Sequence, residues 1–208
     1  TYICQTPDKA KQFAKMELQV DGNTVTMQGS LEQAGNETAS DAAAILAPLD
    51  EAAAKWLDTP VGHLDVPLLP EDHIVMAEFG SGIANFFNQV QLDASGADVS
   101  CTSLGNEVKG FQQDITVRDV VATYIYPNTL DTLLVNRAVL KAALERCAQY
   151  FALRPDGTLE VSQDFLRPKV EHYNYDYFAG IQVTMDVRRP VGDRVTSIRF
   201  QGQELSDT

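Results

Sequence analysis

Apolar and polar positions alternate from Met16 to Val20 and again from Thr24 to Met27, on either side of Asp21-Gly22-Asn23. A two-residue period around a glycine turn predicts a β-hairpin. Gly29 to Ala39 is polar and mixed, which predicts a linker or exposed loop. Ser40 then reads as an N-cap, with Asp41 in the first turn of a helix. Ile45, Leu49, Ala52 and Trp56 recur at helical spacing and predict one apolar stripe facing a neighbour. Pro48 falls inside that pattern and predicts a start or a kink there. Thr59-Pro60-Val61-Gly62 ends the helix, and Val66 to Pro70 reads as extended.

A second helix is predicted from about Ser81 to Leu92, with the stripe Ile83, Phe86, Phe87 and Val90. Ser95 to Asp98 reads as a turn and Val99 to Thr102 as a short strand. Ile115 to Val121 predicts a short helix capped by Thr116, and Leu130 to Val135 a β-rich run. Asn136 caps a further helix with Leu140, Leu144, Cys147 and Phe151 on one face. Near the end, Ile181, Val183, Met185 and Val187 alternate with polar residues, Arg189 to Asp193 turns, and Val195 to Phe200 returns. Asp156-Gly157 marks another turn. Helices and strands intermix without a strict βαβ rhythm, so the fold class is α+β, or mixed α/β.

Composition narrows the functions. At 208 residues and 44% hydrophobic content, the chain can bury a core and does not read as disordered. A net charge of −13 repels phosphate backbones, which argues against nucleic-acid polymers as partners; one small anion is still open to local donors. Cys4, Cys101 and Cys147 are odd in number and lack CxxC spacing, so they frame neither disulfides nor a zinc site. No apolar run is long enough for a membrane span, and no signal peptide is visible. The opening residue is Thr1 rather than Met, which suggests a processed product or an excised piece.

Motifs for phosphate loops, dinucleotides, zinc proteases and serine hydrolases are absent from the sequence. His63, His73 and His172 stand apart, with no DxH pair, so no metal cluster is signalled. His63 and His73 fall in loop-like, Pro-flanked segments and read as surface histidines. Glu71-Asp72 reads as solvated loop charge.

One ordered set of blocks is more specific: ITVRDVVATYIYPNTL at 115–130, then LLVNRAVLKAALE at 133–145. SGADVS at 95–100 precedes it; HYNYD at 172–176 and GIQVTMD at 180–186 follow. Over residues 56–203 this order resembles the C-terminal domain of the bacterial 5'-nucleotidase family. The Tyr-Pro-Asn-Thr form resembles its 2',3'-cyclic-nucleotide 2'-phosphodiesterase / 3'-nucleotidase branch.

The resemblance implies mixed sheets flanked by helices and a division of the chain into three. Residues 1–39 would be terminal strands of a missing metallophosphoesterase domain plus linker, 40–58 a connector helix, and 59–208 a truncated nucleotide-recognition domain. It implies a hydrolase of nucleotide catabolism, a 2',3'-cyclic-nucleotide 2'-phosphodiesterase / 3'-nucleotidase or a 5'-nucleotidase, secreted or cell-wall-associated. Two divalent metal ions would sit in the missing N-terminal domain and none in this chain, which alone would be inactive. The ligand would be a nucleotide or nucleoside. Tyr126 matches the first of two aromatics that sandwich the base, and Asn128 the residue that bonds the base edge. The second aromatic belongs to a later NYR-like segment that this sequence does not reach. Asn174 and Asp176 would border the pocket. The family's phosphate-contacting arginines have no match here; Glu107 and Lys109 occupy that neighbourhood, which favours the cyclic-phosphodiesterase branch over the 5'-nucleotidase branch. From the residues alone, Tyr126 can equally be a strand-end tyrosine with its ring in the core, and Asn128 a turn former after Pro127. A stand-alone ligand-binding or cell-surface interaction module is the alternative.

Overall fold

A computed structural model describes residues 3–7 and 9–206. The chain divides into two units, Thr1–Ala53 and Ala54–Thr208.

In the first unit, β1 (Gln12–Asp21) and β2 (Thr24–Gln33) form an antiparallel hairpin across Gly22, whose φ is +57°. Register pairs Val20 with Val25, Leu18 with Met27, and Ala14 with Leu31. Opposed residues share a face, so one face of the ribbon is apolar while the other carries Lys15, Glu17 and Gln19. The hairpin is longer than the alternation predicts: residues 29–33 are strand, not linker, because ladder pairing with β1 outweighs their polar composition. Helix α1 (Ser40–Leu57) follows. Its first bond runs from the Ala43 N–H to the Ala39 carbonyl, so Ala39, not Ser40, holds the cap position. The helix passes unbroken through Pro48. Alanines on both sides supply enough propensity to carry one lost backbone bond. No α1 residue is buried, and the stripe of Ile45, Leu49 and Trp56 is exposed rather than covered.

The second unit begins with β3 (Pro60–His63) and then has α2 (His73–Phe79), α3 (Gly82–Ser95), β4 (Ser100–Ser103), β5 (Asp114–Thr116) and α4 (Val117–Thr123). After an irregular stretch come α5 (Arg137–Ala148), β6 (Phe151–Leu153), β7 (Leu159–Val161), β8 (Asp176–Ala179), β9 (Ile181–Met185), β10 (Val195–Phe200) and β11 (Gln203–Glu204). Every pairing is antiparallel: β3 with β5, β4 with β8, β6 with β7, and β9 with β10 and β10 with β11. The fold is α+β.

Three apolar clusters hold this unit. Leu140, Leu144 and Ala148 of α5 pack on Val195 and Ile198 of β10. Cys147, Tyr150, Phe151, Phe165 and Tyr175 form an aromatic cluster. Met76, Ile83, Ala84 and Leu104 form the third, around α2 and α3. The covered face of α3 differs from the predicted stripe. Phe86 and Val90 are exposed, while Asn88 is fully buried. Its amide donates to the Tyr177 carbonyl at 2.9 Å, and the Ser100 hydroxyl donates to Asn88 Oδ1 at 2.8 Å, which satisfies the buried polar group. At Gly110 (φ +75°) any Cβ would run into the Leu68 carbonyl, so the chain needs glycine there.

Three further expectations fail. His63 ends β3, with Nδ1 2.8 Å from the Asp114 carboxylate on the paired strand. His73 begins α2 rather than lying in a loop. Leu130 to Val135 is not a strand: β propensity alone makes no ladder, and no strand of the described residues pairs with it.

Candidate functional site

The YPNT stretch is presented by a well-capped helix. Thr116 and Asp119 form a capping box at the start of α4. At its other end the Thr123 hydroxyl donates to the Gly110 carbonyl at 2.7 Å, and the Tyr124 ring meets the Phe87 ring edge-on at 5.2 Å. Beyond these anchors the chain leaves regular structure from Tyr124 to Asn136. Tyr126 therefore sits in a loop after a helix, not at a strand end, and its side chain is 68% exposed. The Asn128 N–H bonds the Tyr126 carbonyl at 2.9 Å, and Asn128 Nδ2 donates to the Tyr124 phenol oxygen at 3.2 Å. Pro127 fixes φ between them, so an open aromatic face and an amide are held in one short turn.

Asn174 lies in the 3-10 turn His172–Asn174, half-buried, and donates to the Glu171 carboxylate at 2.8 Å. Beside this turn the Lys169 ammonium sits 5.1 Å over the Tyr173 ring. Its pKa is raised, first by the hydrogen bond to the Tyr173 phenol, and Tyr126 also contributes. Tyr126 thus lies within electrostatic reach of Lys169. Neither Lys169 nor Tyr173 carries a sequence signal for this role.

Asp176 opens β8 opposite Ser103, and burial raises its carboxyl above the usual aspartate value. It interacts electrostatically with Cys101, Cys147 and Tyr175. Burial pushes the Cys147 thiol up to about 11, so Cys147 is a core thiol rather than a nucleophile.

Asn106 was not predicted, and it joins three segments. Its side chain donates to the Val170 carbonyl at 2.8 Å and accepts the His172 N–H at 3.0 Å, and its carbonyl lies 3.1 Å from His73 Nε2. The His73 and His172 rings stack with centroids 4.0 Å apart. His172 Nδ1 lies 2.6 Å from the Tyr150 hydroxyl.

Among the described residues, no group of three or more His, Cys, Asp or Glu side chains is placed to hold a metal ion. No helix of the described residues is long and apolar enough to cross a membrane.

Residues 60–208 match the model of the family described as 5'-nucleotidase, C-terminal domain. Among solved structures, the chain is similar to a Staphylococcus aureus protein assigned as a 5'-nucleotidase and crystallised with alpha-ketoglutarate. The identity is 33% and the TM-score 0.77, over 91% of this chain and 38% of that one. A Haemophilus influenzae NAD nucleotidase shares the fold at 14% identity and a TM-score of 0.54, over 83% of this chain and 30% of that one. A sulfate thiohydrolase from Thermus thermophilus does so at 17% and 0.52, over 95% and 35%. This chain therefore spans between 30% and 38% of the length of these proteins. No curated protein matches it.

Proposed function

Because the chain belongs to the 5'-nucleotidase C-terminal-domain family, we propose that it is the nucleobase-recognition part of a secreted, two-metal nucleotide phosphoesterase. Its substrate class is the 2',3'-cyclic nucleotides and 3'-nucleotides. The observation that carries this reading is the exposed Tyr126 ring, held beside Asn128 by Pro127 in a loop anchored by α4.

Each residue has a simple task. The Tyr126 face stacks on a base, a contact worth about 1–3 kcal/mol. The Asn128 amide offers a donor and an acceptor to the base edge. Asn174 borders the pocket. Holding the base fixes the distance from it to the scissile phosphate, which is a proximity contribution. The two divalent ions are assigned in this reading to a preceding domain, and no step through them is assigned to residues of this chain. The one-sided hairpin supports that arrangement, since its apolar face needs another layer to cover it. In this reading residues 1–39 complete the preceding domain and 40–58 connect it to residues 59–208.

The test is kinetic and uses the intact protein. Tyr126→Ala should lower kcat/KM for 2',3'-cyclic AMP and 3'-AMP by about five- to a hundredfold. Bis-p-nitrophenyl phosphate has no base to stack, and its turnover should not change. Equal losses on both kinds of substrate, or none on either, would overturn the assignment. Export is tested separately, by finding the protein in the medium or the wall fraction of its own cells.

A further inference from the structure

The clasp of His73, His172, Asn106 and Tyr150 does not touch the proposed base contacts, yet it holds the turn that carries Asn174. Hydrogen-bond chemistry fixes its protonation. The Asn106 carbonyl can only accept, so His73 Nε2 carries a proton. Burial raises the Tyr150 pKa well above the usual tyrosine value, so its hydroxyl stays protonated; that buried O–H has His172 Nδ1 as its one acceptor among the described residues, and satisfying it makes Tyr150 the donor. His172 is then the neutral tautomer with its proton on Nε2. Asn106 completes the clasp by bonding both the carbonyl of Val170 and the N–H of His172.

We propose that this clasp is a proton-operated latch, which fixes the 3-10 turn His172–Asn174 while His172 is neutral and releases it when His172 takes up a proton. Adding a proton at His172 Nδ1 turns the acceptor of the Tyr150 hydroxyl into a second donor. Tyr150 is 1% exposed, so although its oxygen can accept the new N–H, its own O–H would be left buried without an acceptor. Charging both rings would set two cations 4.0 Å apart, and the face-to-face stack would not survive that repulsion. Charged groups around the clasp act in both directions. Glu71 and Asp72 line the same open depression as His73 and Asn106, and Glu107 follows Asn106. Glu171 precedes His172 but is bonded to Asn174, and Lys169 lies just beyond it. From just beyond α5 the neutral Tyr150 phenol meets His172. The balance at His172 is a pKa lowered from 6.5, by burial first and His73 second. The unfolded chain therefore takes up this proton at higher pH than the folded one. The stabilisation is complete above about pH 6.5 and is lost as pH falls from there through the lower folded value. The latch's effect on nucleotide recognition rests on the base-site reading; the latch itself does not.

Amide hydrogen exchange of the 208-residue chain at pH 7.5 and 5.5, corrected for intrinsic rates, tests it without any nucleotide. The amides of His172, Asn174 and Tyr175 all bond within or across the turn. Their protection should fall at pH 5.5, up to the limit of about tenfold that one proton can contribute over one pH unit, while the β9–β10 amides hold theirs. His172→Gln should abolish that difference. If this variant does not fold, nitrogen-15 spectra of the native histidines decide, and at pH 7.5 His172 must show a bare Nδ1. Equal protection at the two pH values, or a protonated Nδ1 at pH 7.5, would overturn the latch. Neither result bears on Tyr126.

Discussion

At Glu145 a carboxylate that is 7% exposed accepts the backbone N–H groups of Arg194 and Val195, at 2.9 and 2.8 Å. It fastens the start of β10 to α5. Glu145→Ala would leave two inward backbone donors without a partner, and urea denaturation should show a loss of about 3 kcal/mol. Glu145→Gln keeps one acceptor oxygen and should lose about half as much. Tyr126 is the opposite case, because its ring is mostly in water. Tyr126→Ala should leave stability unchanged within about 0.5 kcal/mol, so any binding defect belongs to the contact and not to the fold. The sequence marks Tyr126 and Asn128 through the Tyr-Pro-Asn-Thr block, but it marks Glu145 only as the end of a helical motif. The partners of Glu145 lie 49 and 50 residues away, and no local pattern reports a bond of that span. Asn106 was hidden for the same reason, since its bonds reach 64 and 66 residues along the chain.

Elements with a strong local period were readable, and those whose state depends on a partner were not. The Asn136 cap, the capping box at Thr116 and the β9–β10 hairpin all follow from short-range chemistry. Leu130 to Val135 has the composition of a strand but stays irregular and exposed, because a strand exists only in a ladder. His73 looked like loop because Pro70 precedes it closely, and the seven-residue α2 is too short to show a period. The stripe of α1 was found, but nothing covers it among the described residues. The apolar face of the first hairpin is open in the same way: Leu18 is 60% and Val20 68% exposed. The chain should therefore bind a hydrophobic dye in its folded state. Replacing Leu18 and Val20 together by Lys should remove much of that signal and leave the melting temperature of the second unit, which has its own three core clusters, unchanged. A fall in that melting temperature would mean that the hairpin supports the core directly.

At the scale of the molecule, charge sets the sign of nucleotide binding. In the proposed reading a base rests on Tyr126, and no second aromatic is assigned to its other face among the described residues. Losing that face alone costs about 1–3 kcal/mol, or about five- to more than a hundredfold in affinity. The phosphate finds a surface of net charge −13, and among the described residues no cluster fit to hold a cation. The chain should consequently bind adenosine and AMP no more tightly than about millimolar, with adenosine at least as tight as AMP. Salt separates the contributions. Screening weakens repulsion between exposed like charges, so AMP binding should tighten as ionic strength rises while adenosine binding stays flat. The same charge argument and the lack of a metal-holding group predict no measurable hydrolysis of bis-p-nitrophenyl phosphate with added Mn²⁺, Zn²⁺ or Co²⁺. NMR shift mapping at two salt concentrations, with the Tyr124–Asn128 amides as reporters, measures both affinities on one sample. Micromolar AMP binding that weakens with salt would mean a cationic phosphate site in this chain, and Lys169, beside Tyr173 and in electrostatic reach of Tyr126, is the residue whose replacement would then have to abolish it.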